Sequence, residues 1–268
     1  MRKPSFKVSQ DGKTVEVDEV VYNFTPCSGG FNRINGGPRL RRGTAFHELR
    51  NGNYGEGFKQ GSLGDQSKLL FSAYLNHKES GANLILLDIE GLILIGNTTA
   101  LYTPQLIIVQ DNPSVEDGKV VMEEKGLVSK LSKYPKNGVR FSDDGSIRAS
   151  TRTQIEYKHS SEQIKGSSFP ILLTGDLDSP EKIAEILKMH KLNYATISIE
   201  RKKNIISIPS LSTIDFGLDS MSDYHRRIGE IWLLGGRKFS PSEHSLPISC
   251  SDYPTQRDYI CLSFGVHR

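Results

Sequence analysis

Long apolar runs are missing from this 268-residue chain. The longest, residues 84–95, is broken by Asp88 and Glu90. A membrane-spanning helix needs roughly 18 uninterrupted apolar residues, so none is expected. Met1-Arg2-Lys3-Pro4 leads into no apolar segment, and no secretory signal is expected either. Cysteine is scarce. Cys27, Cys250 and Cys261 are odd in number, and none stands in a C-x-x-C pair. A disulfide framework and a structural zinc site are therefore not expected, and the compartment reads as reducing and intracellular. Among the seven histidines none pairs at i, i+2 or i, i+4. Catalytic signatures are lacking too. The glycines at 55–64 are followed by no Gly-Lys-Ser/Thr, and no Gly-x-Ser-x-Gly occurs. No cofactor, no metal and no catalytic residue is expected. Charge of one sign is not in large excess: 34 Lys plus Arg against 31 Asp plus Glu leave a net charge of +3. Binding to phosphates then depends on local density and not on the total.

What is present is a core-forming share of apolar residues, 36%, in short pieces. The chain divides by texture. Residues 1–68 form a Gly/Arg-rich N-terminal arm with short strands at 6–8 and 14–24, and turn residues crowd 26–64. Residues 69–208 read as a β-sandwich core. Runs at 69–75, 84–87, 92–95, 106–109, 119–122 and 169–173 are short and rich in Ile, Leu and Val, which predicts strands. Asp144-Gly145 marks a hairpin turn. Residues 147–158 alternate, with Ile147 and Ala149 on one face and Arg148 and Arg152 on the other. The one helix signal is Asp178-Ser179-Pro180-Glu181 followed by Ile183, Ile186, Leu187 and His190, which predicts a helix over about 180–191. Residues 196–200 and 204–208 suggest a hairpin around Arg201-Lys202-Lys203. Residues 209–268 read as a C-terminal β extension or second small lobe. The expected class is all-β dominated: a jelly-roll or β-sandwich core with one inserted helix.

The basic residues cluster. Arg39, Arg41 and Arg42 sit beside Gly36-Gly37-Pro38. Arg148 and Arg152 project from one strand face. Arg201, Lys202 and Lys203 stand at the expected hairpin tip. Arg226, Arg227, Arg237 and Lys238 flank Trp232. Guanidinium groups bridge phosphates and exposed aromatics stack on unpaired bases, so these are the candidate contacts for single-stranded RNA or DNA. The same clusters suit an anionic membrane surface.

One strand order carries a resemblance. Residues 84–87, then Gly91-Leu92-Ile93-Leu94-Ile95-Gly96, then Pro104, then Leu106-Ile107-Ile108-Val109-Gln110-Asp111 lead on to 169–173, 180–190 and 196–200. Over about residues 84–200 this resembles the plant-virus 30K superfamily of movement proteins. Pro104 stands at the family's Pro and Asp111 at its Asp. The resemblance implies a homo-oligomeric, non-enzymatic viral protein. It would bind single-stranded nucleic acid and support cell-to-cell transport, in the host cytoplasm, at intercellular junctions (plasmodesmata) or at the membrane periphery. In this reading Asp111 is structural, capping a turn at Asn112-Pro113. The stretch 180–208 with the β-rich tail is also similar to matrix proteins of negative-strand RNA viruses, which implies contact with anionic membrane and nucleocapsid. A hydrolase or nuclease whose site is assembled from distant residues is the third reading.

Overall fold

A computed structural model describes residues 4–24, 27–29, 42–89, 93–117, 119–151, 156–199, 205–207, 209–212, 245–250 and 261–268. Its described helices are α1 (Arg42–Arg50), α2 (Leu63–Leu75), α3 (Ser80–Ile89), α4 (Glu124–Ser129), α5 (Ser161–Lys165), α6 (Phe169–Thr174) and α7 (Ser179–Met189). Among the described residues helices and strands both occur throughout, so the fold there is mixed and not all-β.

Three sheets surround the helices. The N-terminal sheet runs, in spatial order, Phe6–Val8, Thr14–Val17, Val20–Asn23, Gly265–His267 and Lys59–Gln60. The central sheet runs Arg140–Phe141, Ile147–Thr151, Leu106–Asp111, Thr98–Tyr102 and Ile205–Ser207, antiparallel throughout. The wide sheet runs Glu156–His159, Tyr194–Ile199, Ser245–Cys250, Pro209–Ser212, Ile93–Ile95, Cys261–Ser263 and Cys27–Gly29. The chain crosses between the central and wide sheets four times: from Ile95 to Thr98, from Thr151 to Glu156, from Ile199 to Ile205 and from Ser207 to Pro209. A small hairpin, Ser114–Glu116 with Lys119–Val121, stands apart.

Several expected strands are helices. Residues 69–75 lie in α2, residues 84–87 in α3 and residues 169–173 in α6. In α2 nearly every side chain from Leu69 to Leu75 is buried. A helix covered on all sides shows no amphipathic stripe, and a short apolar run then reads the same as a strand. End signals separate the two. Ser62 accepts from the Asp65 N–H at 3.2 Å, and the Asp65 carboxylate accepts from the Ser62 N–H at 2.8 Å, a reciprocal cap. Pro170 opens α6, and Gly175, at φ 74°, closes it. The helix expected over 180–191 is α7, whose solvent face keeps its periodicity visible.

Two further expectations change. Tyr194–Ile199 and Ile205–Ser207 do not form a hairpin; the first pairs in the wide sheet and the second with Thr98–Tyr102 in the central sheet. The single strand expected over 147–158 divides likewise between sheets. The arm boundary at residue 68 falls inside α2, and Cys261–Ser263 and Gly265–His267 are inserted among strands from the first hundred residues, while Ser245–Cys250 pairs with Tyr194–Ile199 and Pro209–Ser212.

Strand alternation places the core. On one face of the central sheet Ala100, Tyr102, Ile107 and Val109 join the main core, with α2, α3, α6 and α7. On the other, Leu101, Ile108, Ile147 and Ala149 pack with Leu127 and Leu131 of the α4 region. Both faces of this sheet are covered, which decides the fate of Arg148.

Candidate functional site

Most of the basic residues named from the sequence lie outside the described residues: Arg39, Arg41, Arg152, Arg201, Lys202, Lys203, Arg226, Arg227, Arg237 and Lys238. Arg42 opens α1. Arg148 is described, and it is no surface cation: its side chain is 1% exposed. It lies on the strand face that α6 covers. Its Nε donates to the Leu172 carbonyl at 2.9 Å, Nη1 to Asp111 at 2.6 Å and to the Gly145 carbonyl at 3.0 Å, and Nη2 to Asp111 at 2.9 Å and the Leu173 carbonyl at 3.1 Å. The last carbonyls of a helix lack intrahelical partners, and a cation suits that end. Arg148 therefore closes α6. A Cβ at Gly175 would come within 3.1 Å of Arg148 Nη1, so a glycine stands there for space as well as for φ.

Asp111 is structural, but by another route than the expected turn cap. Its carboxylate takes the Arg148 guanidinium bidentately and accepts the Thr98 hydroxyl at 2.6 Å. Thr98 Oγ1 in turn accepts from the Leu63 N–H, at the first turn of α2, at 2.8 Å. One relay thus ties α2, the central sheet and α6. The turn itself is made by Asn112, at φ 50°. Pro104 lies in the exposed link between Thr98–Tyr102 and Leu106–Asp111.

The described surface carries a basic face of its own. Lys125, Lys130, Lys133, Lys136 and Arg140 fall within residues 125–140, with no acidic residue among them. The segment is built, not slack. Glu123 caps α4 by accepting from the Lys125 and Gly126 N–H groups. Lys136 and Val139 exchange backbone hydrogen bonds at 2.8 and 2.9 Å across Asn137 and Gly138, both at positive φ. That is a two-residue hairpin turn of the I′ kind. Its base is held by the Ser132 N–H donating to the Phe141 carbonyl at 2.8 Å and Arg140 Nε donating to the Ser132 carbonyl at 2.7 Å. Its tip is held by the Ser150 hydroxyl donating to the Gly138 carbonyl at 2.9 Å. On this hairpin Tyr134 is 83% exposed. Lys125, Lys130, Lys133 and Lys136 are exposed and form no ion pair among the described residues. In the next turn Asp144 bounds the face; hydrogen bonds from the Ser142 hydroxyl and from the Ser146 N–H and hydroxyl lower its pKa to about 2.

Contiguous pairs such as Arg226-Arg227 drew the sequence reading past this segment. The signal that finds it is lysines at 125, 130, 133 and 136 around a tyrosine flanked by Lys133 and Pro135.

Among the described residues no three His, Cys, Asp or Glu side chains gather as for a metal ion, and no helix is long and apolar enough to cross a membrane. Protein-family profiles, curated proteins and solved structures offer no match to this chain.

Proposed function

We propose that this chain binds single-stranded nucleic acid and acts as a viral movement protein on a sandwich-like core. The observation that carries the reading is Tyr134, 83% exposed on a hydrogen-bonded hairpin in a segment whose four exposed lysines form no ion pair among the described residues. A free aromatic face stacks on an unpaired base, and lysines at its flanks take the adjoining phosphates. A membrane surface would need the lysines but not the stacking face, so nucleic acid is favoured over anionic lipid.

The wider reading rests on the resemblance to the 30K superfamily. It adds homo-oligomers along the strand and transport between cells at intercellular junctions. Four crossings of the chain between the central and wide sheets support a jelly-roll arrangement of the core, and Asp111 holding that core supports its place in the family pattern. The helices at 84–87 and 169–173 depart from the strand order that suggested the family.

The test is fluorescence anisotropy of the full chain with labelled single-stranded RNA across a salt series. Affinity should fall as salt rises, with a log–log slope of about −0.7 per phosphate contact. Tyr134→Ala should weaken binding by about 1–3 kcal/mol. Lys133→Glu with Lys136→Glu should flatten the slope. An absence of binding at low salt overturns the reading, and pelleting with anionic liposomes instead would select the matrix alternative.

A further inference from the structure

A cleft of about 710 Å³ lies between the end of α2 and one face of α7. Its first wall is Leu75, Asn76, His77 and Lys78; its second is Glu181, Glu185 and Met189. Positions 181, 185 and 189 are four apart, which puts them in one stripe along α7.

The first wall is shaped by a helix ending. The closing carbonyls of α2 have no intrahelical partner. That of Tyr74 is met by two imidazoles, His77 Nδ1 at 3.1 Å and His190 Nε2 at 3.2 Å. The rings of His77 and His190 sit 4.9 Å apart, edge to face. A carbonyl oxygen only accepts, so both of these nitrogens carry hydrogen. In the neutral His77 ring, Nε2 is then a lone-pair acceptor, fixed in that form by backbone. On the second wall Glu181 reaches Lys165 at 3.7 Å. Glu185 and, on the first wall, Lys78 form no ion pair among the described residues. The cleft therefore offers two carboxylates and an imidazole acceptor, one cation, and the apolar surface of Leu75 and Met189.

We propose that this cleft binds a small zwitterion with an apolar body, a peptide of two or three residues. Its ammonium group is held by Glu181, Glu185 and His77 Nε2, and its terminal carboxylate by Lys78. Its side chains lie on Leu75 and Met189. The volume suits a ligand larger than one amino acid. The site shares no residue with the lysine–tyrosine hairpin and does not depend on the nucleic-acid reading.

Isothermal titration of the full chain with the dipeptide Leu-Leu, its N-acetyl form and its C-terminal amide tests this. Leu-Leu should bind, and each blocked form should bind at least about tenfold more weakly, one charge contact being lost. Glu185→Gln should weaken Leu-Leu, and Lys78→Met should erase its advantage over the amide. Both positions are exposed, so a circular-dichroism melt should show both variants folded. No heat at about 10 mM Leu-Leu, or equal affinity for the three forms, overturns the proposal.

Discussion

Arg148 directs all its donors inward, and this gives Asp111 its meaning. Removing one member of a buried pair leaves the other charged and unpaired, at about 3–5 kcal/mol. Asp111→Ala should therefore lower the urea midpoint sharply, with Arg148→Met close to it. The double variant Asp111→Leu with Arg148→Met should recover part of the loss, since an apolar pair leaves no stranded charge. An Asp111→Ala protein that melts like the parent would sink this account. Asp111 entered the sequence reading only through the family resemblance, as a turn cap; its actual partner is 37 residues away, beyond any local reading. Alternation also puts Arg148 on the face opposite Ile147 correctly. The inference that a polar face meets solvent fails because α6 lies over it.

At the scale of elements, α2 and α7 are joined through the histidines at the end of α2. Burial lowers the pKa of His190 below its ordinary 6.5, and the nearby His77 lowers it further, against the Tyr74 carbonyl, which raises it. The unfolded chain then binds the proton more readily than the folded one. The stabilisation is complete above about pH 6.5 and is lost as pH falls below that value. Thermal melts should show the folded state weakening between about pH 7 and pH 5, and His190→Gln should flatten that fall relative to the parent. Parallel curves would place the titration elsewhere. Helix α7 was legible from sequence because one face meets water. Helices α2 and α6 were not, because covering hides the period; their caps, Ser62 with Asp65 and Pro170 with Gly175, carried the information instead. In α3 the exposed face carries an apolar residue, Leu84, which blurs its stripe.

At the scale of the molecule, residues 261–268 join two sheets. Cys261–Ser263 lies between Ile93–Ile95 and Cys27–Gly29, and Gly265–His267 lies between Val20–Asn23 and Lys59–Gln60. Between them the Gln66 amide holds the backbone of the buried Phe264 on both sides, at 3.0 and 2.9 Å. Arg268 reaches both oxygens of Asp65, at 2.7 and 2.9 Å. A chain lacking 261–268 should lose its cooperative urea transition, because a middle strand leaves each of two sheets. A transition at the parent midpoint would show the sheets closing without it. The sequence reading marked strands in this tail but not their neighbours. Pairing across some two hundred residues leaves no local trace, so the tail read only as a β extension or a second small lobe.

That pairing also orders events during synthesis. Val20–Asn23 and Lys59–Gln60 leave the ribosome early, and the strand that belongs between them is made about two hundred residues later. Until then two strand edges stand open, and contacts so distant in the chain form slowly. The nascent protein is thus obliged to wait with its first sheet unfinished, a window in which chaperones, or the edges of sister chains on the same message, compete for the place of residues 265–267.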